Sequence, residues 1–343
     1  MNGNVNGLYG GITDQSLSGI DNGVGYGVAS GMYGELGKSQ IGILDLYPGA
    51  SLALSLRRLR YGYNGPVIKV RRSNDNEEMD IGFDKNGDLN MNQLFSFVNL
   101  NSGFVSIWYD QSNSSIKKNA IQTNTANQPI IVNNGVIPTA NSKPTIQFNS
   151  HFFRVIFDDI NTTTFIQTFC VINPELAAAA DVTTEILWGY AGGGGSSTLA
   201  ERGMAWGAGT LLLTGERFST SFSNASINGG RLASSTYSRN ANTTILHNTV
   251  NCASCGDGNA SFTGWYVNNE TTTRIFNQSL VINQSSNTSP LNVGVASTDF
   301  WIKSVAGASN TVAQKYSELI VYTTPNTYQS GIQSNINKYY SIW

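Results

Sequence analysis

Charge is scarce in this chain. Only 12% of its 343 residues are Asp, Glu, Lys or Arg, and the formal net charge is −2. No polybasic surface therefore exists to hold nucleic acid by displacing its counterions, and nucleic-acid binding is not expected. Cysteine is equally sparse: Cys170, Cys252 and Cys255 are too few for a disulfide framework in a chain of this length. No apolar run approaches the roughly 18 residues of a membrane span, so no membrane partner is expected. The opening Met1-Asn2-Gly3-Asn4-Val5-Asn6-Gly7 has neither the basic segment nor the apolar core of a secretory leader. If Met1 is the natural start, the expectation is a protein kept in the cytoplasm or released by lysis.

What replaces charge is Asn, Ser, Thr and Gly. These residues hydrate a surface without ionising and suit turn-rich β structure of the kind common in extracellular and virion proteins. Residues 1–40 are especially dense in Gly and Asn, with Tyr9, Tyr26, Met32 and Tyr33 as scattered anchors. Such a segment has little apolar surface to offset the entropy of ordering, so it is expected to behave as an assembly arm that orders against a partner, with a plain disordered tail as the alternative. Residues 41–343 read as one globular unit.

Within that unit, the leucines and isoleucines between Ile41 and Leu59 predict a short helix after Pro48-Gly49. Val67 to Arg72 alternates as a strand. Asp88 or Asn90 can cap a helix carrying Met91, Leu94, Phe95 and Val98, followed by a strand from Phe104 to Tyr109. Beyond Pro129, short apolar or alternating runs separated by Asn, Gly, Ser and Thr predict an antiparallel sandwich or jelly roll. The chain closes with a strand from Tyr316 to Tyr322, expected to be internal, and a helix from Thr324-Pro325 with Tyr328, Ile332, Ile336 and Tyr339 on one stripe.

One ordered set of motifs carries more than composition does. Ser55-Leu56-Arg57-Arg58-Leu59, Arg71-Arg72-Ser73-Asn74-Asp75-Asn76 and Asp80-Ile81-Gly82-Phe83 precede Trp108-Tyr109-Asp110-Gln111-Ser112. That order resembles the N-terminal half of the catalytic domain of the α-L-arabinofuranosidase B family. The final strand and helix look like the last elements of concanavalin A-like lectin or laminin-G domains. The resemblance implies an all-β, concanavalin A-like antiparallel β-sandwich with a few short helices. Proteins with this signature are also common as structural proteins of tailed-phage particles. The expectation is therefore a virion component, such as a capsid decoration, head-fibre or tail-associated protein. Its partners would be other virion proteins, copies of itself and host-surface glycans. A hydrolase and a carbohydrate-binding module stand as alternatives.

Retaining glycosidases use two carboxylates, one as nucleophile and one as acid/base. The resemblance aligns Glu216, in Leu212-Leu213-Thr214-Gly215-Glu216-Arg217, with the nucleophile, and Asp299, in Val293-Gly294-Val295-Ala296-Ser297-Thr298-Asp299, with the acid/base. Thr214 stands where the family has a helper aspartate, Arg217 where it has asparagine, and Thr298 where it has glycine. The family's sugar-contacting cysteines are absent from the comparable Glu185 to Tyr190 stretch. From these departures the chain is expected not to be an enzyme. Candidate glycan-contacting residues are Asp110, Gln111, Trp188, Trp206, Trp265 and Trp301. Arg57, Arg58, Arg71 and Arg72 are candidate assembly contacts, or local salt-bridge partners of Asp75, Glu77, Glu78 and Asp80. Asp84-Lys85-Asn86-Gly87-Asp88 has calcium-type oxygen spacing but lacks the sixth-position glycine and the twelfth-position glutamate, so a turn followed by a helix cap explains it better. Cys252-Ala253-Ser254-Cys255 has no second pair, and neither metal nor cofactor is expected.

Overall fold

A computed structural model describes residues 41–157, 165–174, 185–191, 199–207, 210–214, 218–219, 232–238, 244–254, 259–267, 279–281, 299–305, 308–309 and 313–342. Within these residues the chain is an all-β sandwich of antiparallel strands, with three short α-helices at Ile43–Leu46, Met91–Val98 and Gln329–Tyr340. The arm expected at residues 1–40, with Tyr9, Tyr26, Met32 and Tyr33, lies outside the described residues.

Two runs of paired strands build the layers. The first proceeds by neighbouring strands from Glu78–Ile81 through Ile68–Arg72, Gly103–Trp108, Ala120–Ile121, Phe153–Ile156, Asp299–Ile302, Glu185–Ala191 and Leu199–Gly207 to Thr210–Thr214. The second runs from Leu52–Ser55 through Gln314–Tyr322, Phe165–Pro174 and Thr244–Ser254 to Asn259–Val267. Ile130–Val132 and Ile146–Phe148 join the two along one edge.

Within the second run, residues 52–55, 167–172 and 314–322 are buried on both faces, as period-2 side-chain alternation allows. Leu52, Leu54, Cys170, Ile172, Leu319 and Val321 face the main core shared with Trp108, Phe148 and Phe153. Ala53, Phe169, Val171, Ile320 and Tyr322 face a second core capped by Ile332, Ile336 and Tyr340 of the last helix. Tyr316 and Leu319 reach the same core despite opposite parity, because a bulge opposite Val171/Ile172 absorbs one residue. The final strand is internal, paired on one side with Leu52–Ser55 and on the other with Phe165–Pro174.

The helix expected after Pro48 is corrected. The helical turn precedes the proline, at Ile43–Leu46, and Leu52–Ser55 is a strand. Its leucines gain more from pairing beside Leu319 to Val321 than local helical spacing offers. Asn90 caps the Met91–Val98 helix, its Oδ1 accepting from Gln93 N at 3.0 Å. Phe95 is 39% exposed, whereas Leu94, Phe97 and Val98 are buried. The Asp84 segment is a turn: Asp84 Oδ1 accepts from the backbone N–H of Asn86 and of Asp88, both at 2.9 Å.

A candidate glycan site beside a buried polar frame

The Asp-Gln-Ser motif follows the Gly103–Trp108 strand and crosses to the second layer. Asp110 Oδ1 accepts from Ala53 N and Ser112 N, both at 2.9 Å, while Oδ2 accepts from Ser112 Oγ at 2.8 Å and Lys118 N at 3.1 Å. Gln111 Oε1 accepts from Leu59 N at 2.8 Å, and its Nε2 donates to the carbonyls of Ser55 and Arg57 at 2.9 and 3.0 Å. Asp110 is 1% exposed and Gln111 0%. Both side chains are thus occupied by backbone partners. They hold the layers together and do not face a ligand, which corrects their candidacy as glycan contacts.

Arg57 belongs to the same frame. Its Nε and Nη2 donate to Glu318 Oε2 and Oε1 at 2.7 and 3.0 Å, and Nη1 donates to Asn335 Oδ1 at 2.9 Å. Ser55 Oγ and Tyr340 Oη also donate to Glu318 Oε2, at 2.9 and 3.2 Å. The guanidinium lies over the Tyr339 ring at 4.5 Å. Burial is the largest single influence and works against its charge, but the charge and hydrogen bond of Glu318, with Tyr340 and Tyr339 beside it, together raise the Arg57 pKa above its ordinary value. Arg71 is also buried, donating to Gln128 Oε1 at 2.6 Å and Asn76 Oδ1 at 2.7 Å. Arg57 and Arg71 are therefore interior, not assembly contacts. Of the local salt bridges expected, Arg72 pairs with Asp75 at 2.5 Å; Arg58 lies over the Phe83 ring at 4.9 Å. The dominant partner of the cluster, Glu318, lies far away in sequence.

The loop that Asp110 anchors returns to line an open cleft of about 310 Å³ on the outer side of the first layer. Its walls are Lys117, Lys118, Asn119, Gln122, Arg154 and Trp301, with Phe152 packed against Trp301 at a centroid distance of 5.6 Å. Strand alternation explains the placement: Phe153, Val155, Phe300 and Ile302 fill the core, so Arg154, Ile156 and Trp301 face away from it. Lys117 Nζ donates to the Ser112 carbonyl, and Lys118 Nζ donates to Ser114 Oγ at 3.0 Å. Burial pulls the Lys117 ammonium below its ordinary pKa, with the Asp110 charge working in the opposite direction.

Strand register continues the sheet beyond the cleft. Trp301 pairs with Arg154 on one side and Gly189 on the other; Gly189 pairs with Gly203, and Gly203 with Thr214. Two glycines in a row leave a strip without side chains beside the indole. Asp299 opens the Trp301 strand and pairs with Ile156. Thr214 and Phe218, on either side of the Glu216 segment, pair with Gly203 and Ala200 of a single strand. Glu216 itself lies outside the described residues, as do the side chains of Asp299, Trp188, Trp206 and Trp265. Of the four candidate tryptophans, Trp301 is the one whose side chain is described, and it lines the cleft. Sequence reading missed Lys117, Lys118, Phe152 and Arg154; the adjacent lysines soon after the Asp-Gln-Ser motif were the available signal.

No family model matches the sequence, and no curated protein is similar to it in sequence. Solved structures do share its fold. One is a variant GH54 α-L-arabinofuranosidase soaked with 4-nitrophenyl α-L-arabinofuranoside, with a TM-score of 0.53 and 14% identity over 86% of this chain and 65% of that one. Another is an arabinofuranosidase complexed with arabinofuranosyl-α-1,2-xylobiose, with a TM-score of 0.52 and 14% identity over 86% of this chain and 64% of that one. The chain thus spans less than two thirds of the length of either protein. At this identity the likeness establishes the fold alone. The expectation of a chain that is not an enzyme is corrected to this extent: solved structures that share its fold are arabinofuranosidases. That expectation rested on residues flanking Glu216 and Asp299, while both carboxylates are present in the chain.

Proposed function

We propose that this protein is a retaining glycoside hydrolase acting on arabinofuranoside-type glycans, with Glu216 as nucleophile and Asp299 as acid/base. The observation that carries the reading is the strand register. The Asp299 strand pairs with Glu185–Ala191, which pairs with Leu199–Gly207, which in turn pairs with the residues on both sides of the Glu216 segment. Three inter-strand steps span about 14 Å between backbones. A retaining pair requires the two carboxyl groups to come within roughly 5 Å of each other. In the reaction Glu216 attacks the anomeric carbon while Asp299 protonates the departing oxygen. Asp299 then takes a proton from the water that releases the sugar. The indole of Trp301 and the glycine strip beside it supply a flat apolar surface for a sugar ring.

The test is release of 4-nitrophenolate from 4-nitrophenyl α-L-arabinofuranoside by the purified protein. Turnover abolished by both E216Q and D299N is the expected result. Turnover untouched by either substitution, or no turnover on any arabinofuranoside, overturns the assignment.

For location, we propose a tailed-phage particle with other virion proteins and copies of the chain as partners, on the strength of the Gly- and Asn-rich segment at residues 1–40. Mass spectrometry of purified particles tests it, and deletion of residues 2–38 is expected to abolish incorporation.

A further inference from the structure

Three strands meet under the cleft. Ile121, Arg154 and Trp301 stand directly opposite one another across them, so all three lie on the outer face, and Ile156 lies on that face two residues further along. In a chain rich in Asn, Ser, Thr and Gly, this face exposes aliphatic carbon: Ile156 is 55% exposed and Ile121 40%, beside the half-buried indole of Trp301. Both isoleucines line the cleft, as do Asn119 and Thr123. Asn119 Oδ1 accepts from Asp110 N, and its amide nitrogen keeps two donors, while the exposed Thr123 hydroxyl can donate and accept. The lysines of the wall are bonded within their own loop, Lys117 to the Ser112 carbonyl and Lys118 to Ser114 Oγ. Apolar carbon flanked by uncharged donors and acceptors suits a neutral sugar, whose ring C–H faces stack and whose hydroxyls need partners of both kinds.

Sheet order places this face relative to the two proposed carboxylates. From Thr210–Thr214, which precedes the Glu216 segment, neighbouring strands run through Leu199–Gly207 and Glu185–Ala191 to Asp299–Ile302, and then to Phe153–Ile156 and Ala120–Ile121. The Asp299 strand therefore separates the Glu216 side of the sheet from the cleft side. Asp299 stands opposite Ile156 and two residues, about 7 Å of strand, from Trp301. The glycine strip lies on the Glu216 side of Trp301. In a retaining glycosidase the two carboxylates flank the scissile bond and the acid protonates the departing oxygen, so the leaving group lies beyond the acid, away from the nucleophile.

We infer that the cleft is the leaving-group site of the proposed hydrolase and holds a neutral sugar chain, with a ring against Trp301 and Ile156 and hydroxyls bonded to Asn119 and Thr123. The bond broken joins the anomeric carbon of the removed sugar to an oxygen of this chain, and the proton from Asp299 restores the chain's hydroxyl. The substrate class is thereby named: a sugar carried by a carbohydrate chain, not by a non-carbohydrate group. The inference rests on the hydrolase reading for the role of the chain as leaving group, and on the cleft itself for the presence of a sugar there.

The experiment is binding of xylotetraose, a linear neutral chain without arabinofuranose, to the full-length protein, followed by intrinsic tryptophan fluorescence and confirmed by saturation-transfer NMR. Binding should be saturable. Saturating L-arabinose should leave its dissociation constant unchanged, because the removed sugar and the leaving chain occupy different places. I156S and T123V alter exposed side chains and should each weaken xylotetraose binding about fivefold, as loss of one apolar contact or one hydrogen bond implies. Thermal unfolding midpoints of both variants should match that of the parent, which separates a lost contact from a lost fold. No saturable binding, displacement by L-arabinose, or affinity untouched by both substitutions overturns the inference. Turnover of arabinofuranosides by a protein that does not bind xylotetraose defeats this inference alone. Xylotetraose binding that is sensitive to both substitutions but accompanied by no turnover keeps the sugar site and defeats the hydrolase reading alone.

Discussion

The buried frame around Glu318 and the open cleft beside Trp301 are both assembled from polar and aromatic residues, yet they do opposite things with them. In the frame every strong group is consumed: Glu318 accepts from Arg57, Ser55 and Tyr340, and Asp110 accepts four bonds. In the cleft, Lys117, Lys118 and Asn119 are held by the loop and line an open cavity. One loop serves both, since Asp110 fixes its start while Lys117, Lys118 and Asn119 form the wall further on. The Asn119 Oδ1 that accepts from Asp110 N at 3.0 Å is the direct link between them. The most recognisable residues of the motif are therefore structural, and the residues that line the cleft are less conspicuous neighbours.

That contrast predicts an order of effects. Glu318→Ala should be the most damaging, because it leaves the Arg57 guanidinium buried without a counter-charge, at a cost of about 3–5 kcal/mol. Urea denaturation should register the loss, and a loss below about 1 kcal/mol would mean that the ion pair contributes no more than a surface one. Asp110→Ala strands the N–H groups of Ala53, Ser112 and Lys118, and should cost about 2–3 kcal/mol. Unlike Glu318→Ala, it should also weaken glycan binding, by displacing the lysine wall. If binding survives at full strength, the frame and the cleft are independent.

Trp301→Ala reverses the pattern. It should lower affinity for oligosaccharides about tenfold, in line with the roughly 0.5–1.5 kcal/mol that aromatic contacts contribute beyond area. Its effect on stability should be smaller than that of either frame substitution. A collapse of the fold instead would assign Trp301 to the core. The smallest effect concerns His151, next to Phe152, whose pKa is lowered by burial. The unfolded chain then takes up a proton at a higher pH than the folded one. The contribution of His151 is fully present above the unfolded imidazole pKa and is lost as pH falls through the folded value. Denaturation midpoints measured between pH 8 and pH 5 should decline slightly, and H151Q should remove that part of the slope.

Much of the architecture was legible in order. Alternation and short turn-bounded runs announced an antiparallel sandwich, and the final strand was readable as internal from its apolar density. A cap at Asp88 or Asn90 was visible from residue type, because the N-terminal backbone donors of a helix need a local acceptor, and the structure uses Asn90. Leu52 to Ser55 misled because four apolar or small residues fit a helix face as well as a strand. Pairing with Leu319 to Val321, more than 260 positions away, decided the matter.

Sequence by itself determined the fold class, the low overall charge, and the pair of carboxylates, Glu216 and Asp299, that the proposed chemistry requires. Only the tertiary structure decided which polar residues are spent and which remain available. Arg57 and Arg71 read as surface cations until Glu318 and Gln128 were found beside them. Trp301 was one of four candidate tryptophans and Arg154 was unremarkable until antiparallel register set them side by side. The physical reason is that a side chain's hydrogen-bonding capacity is set by its own chemistry, whereas its partners are set by which distant strands meet, and local sequence carries little of that information.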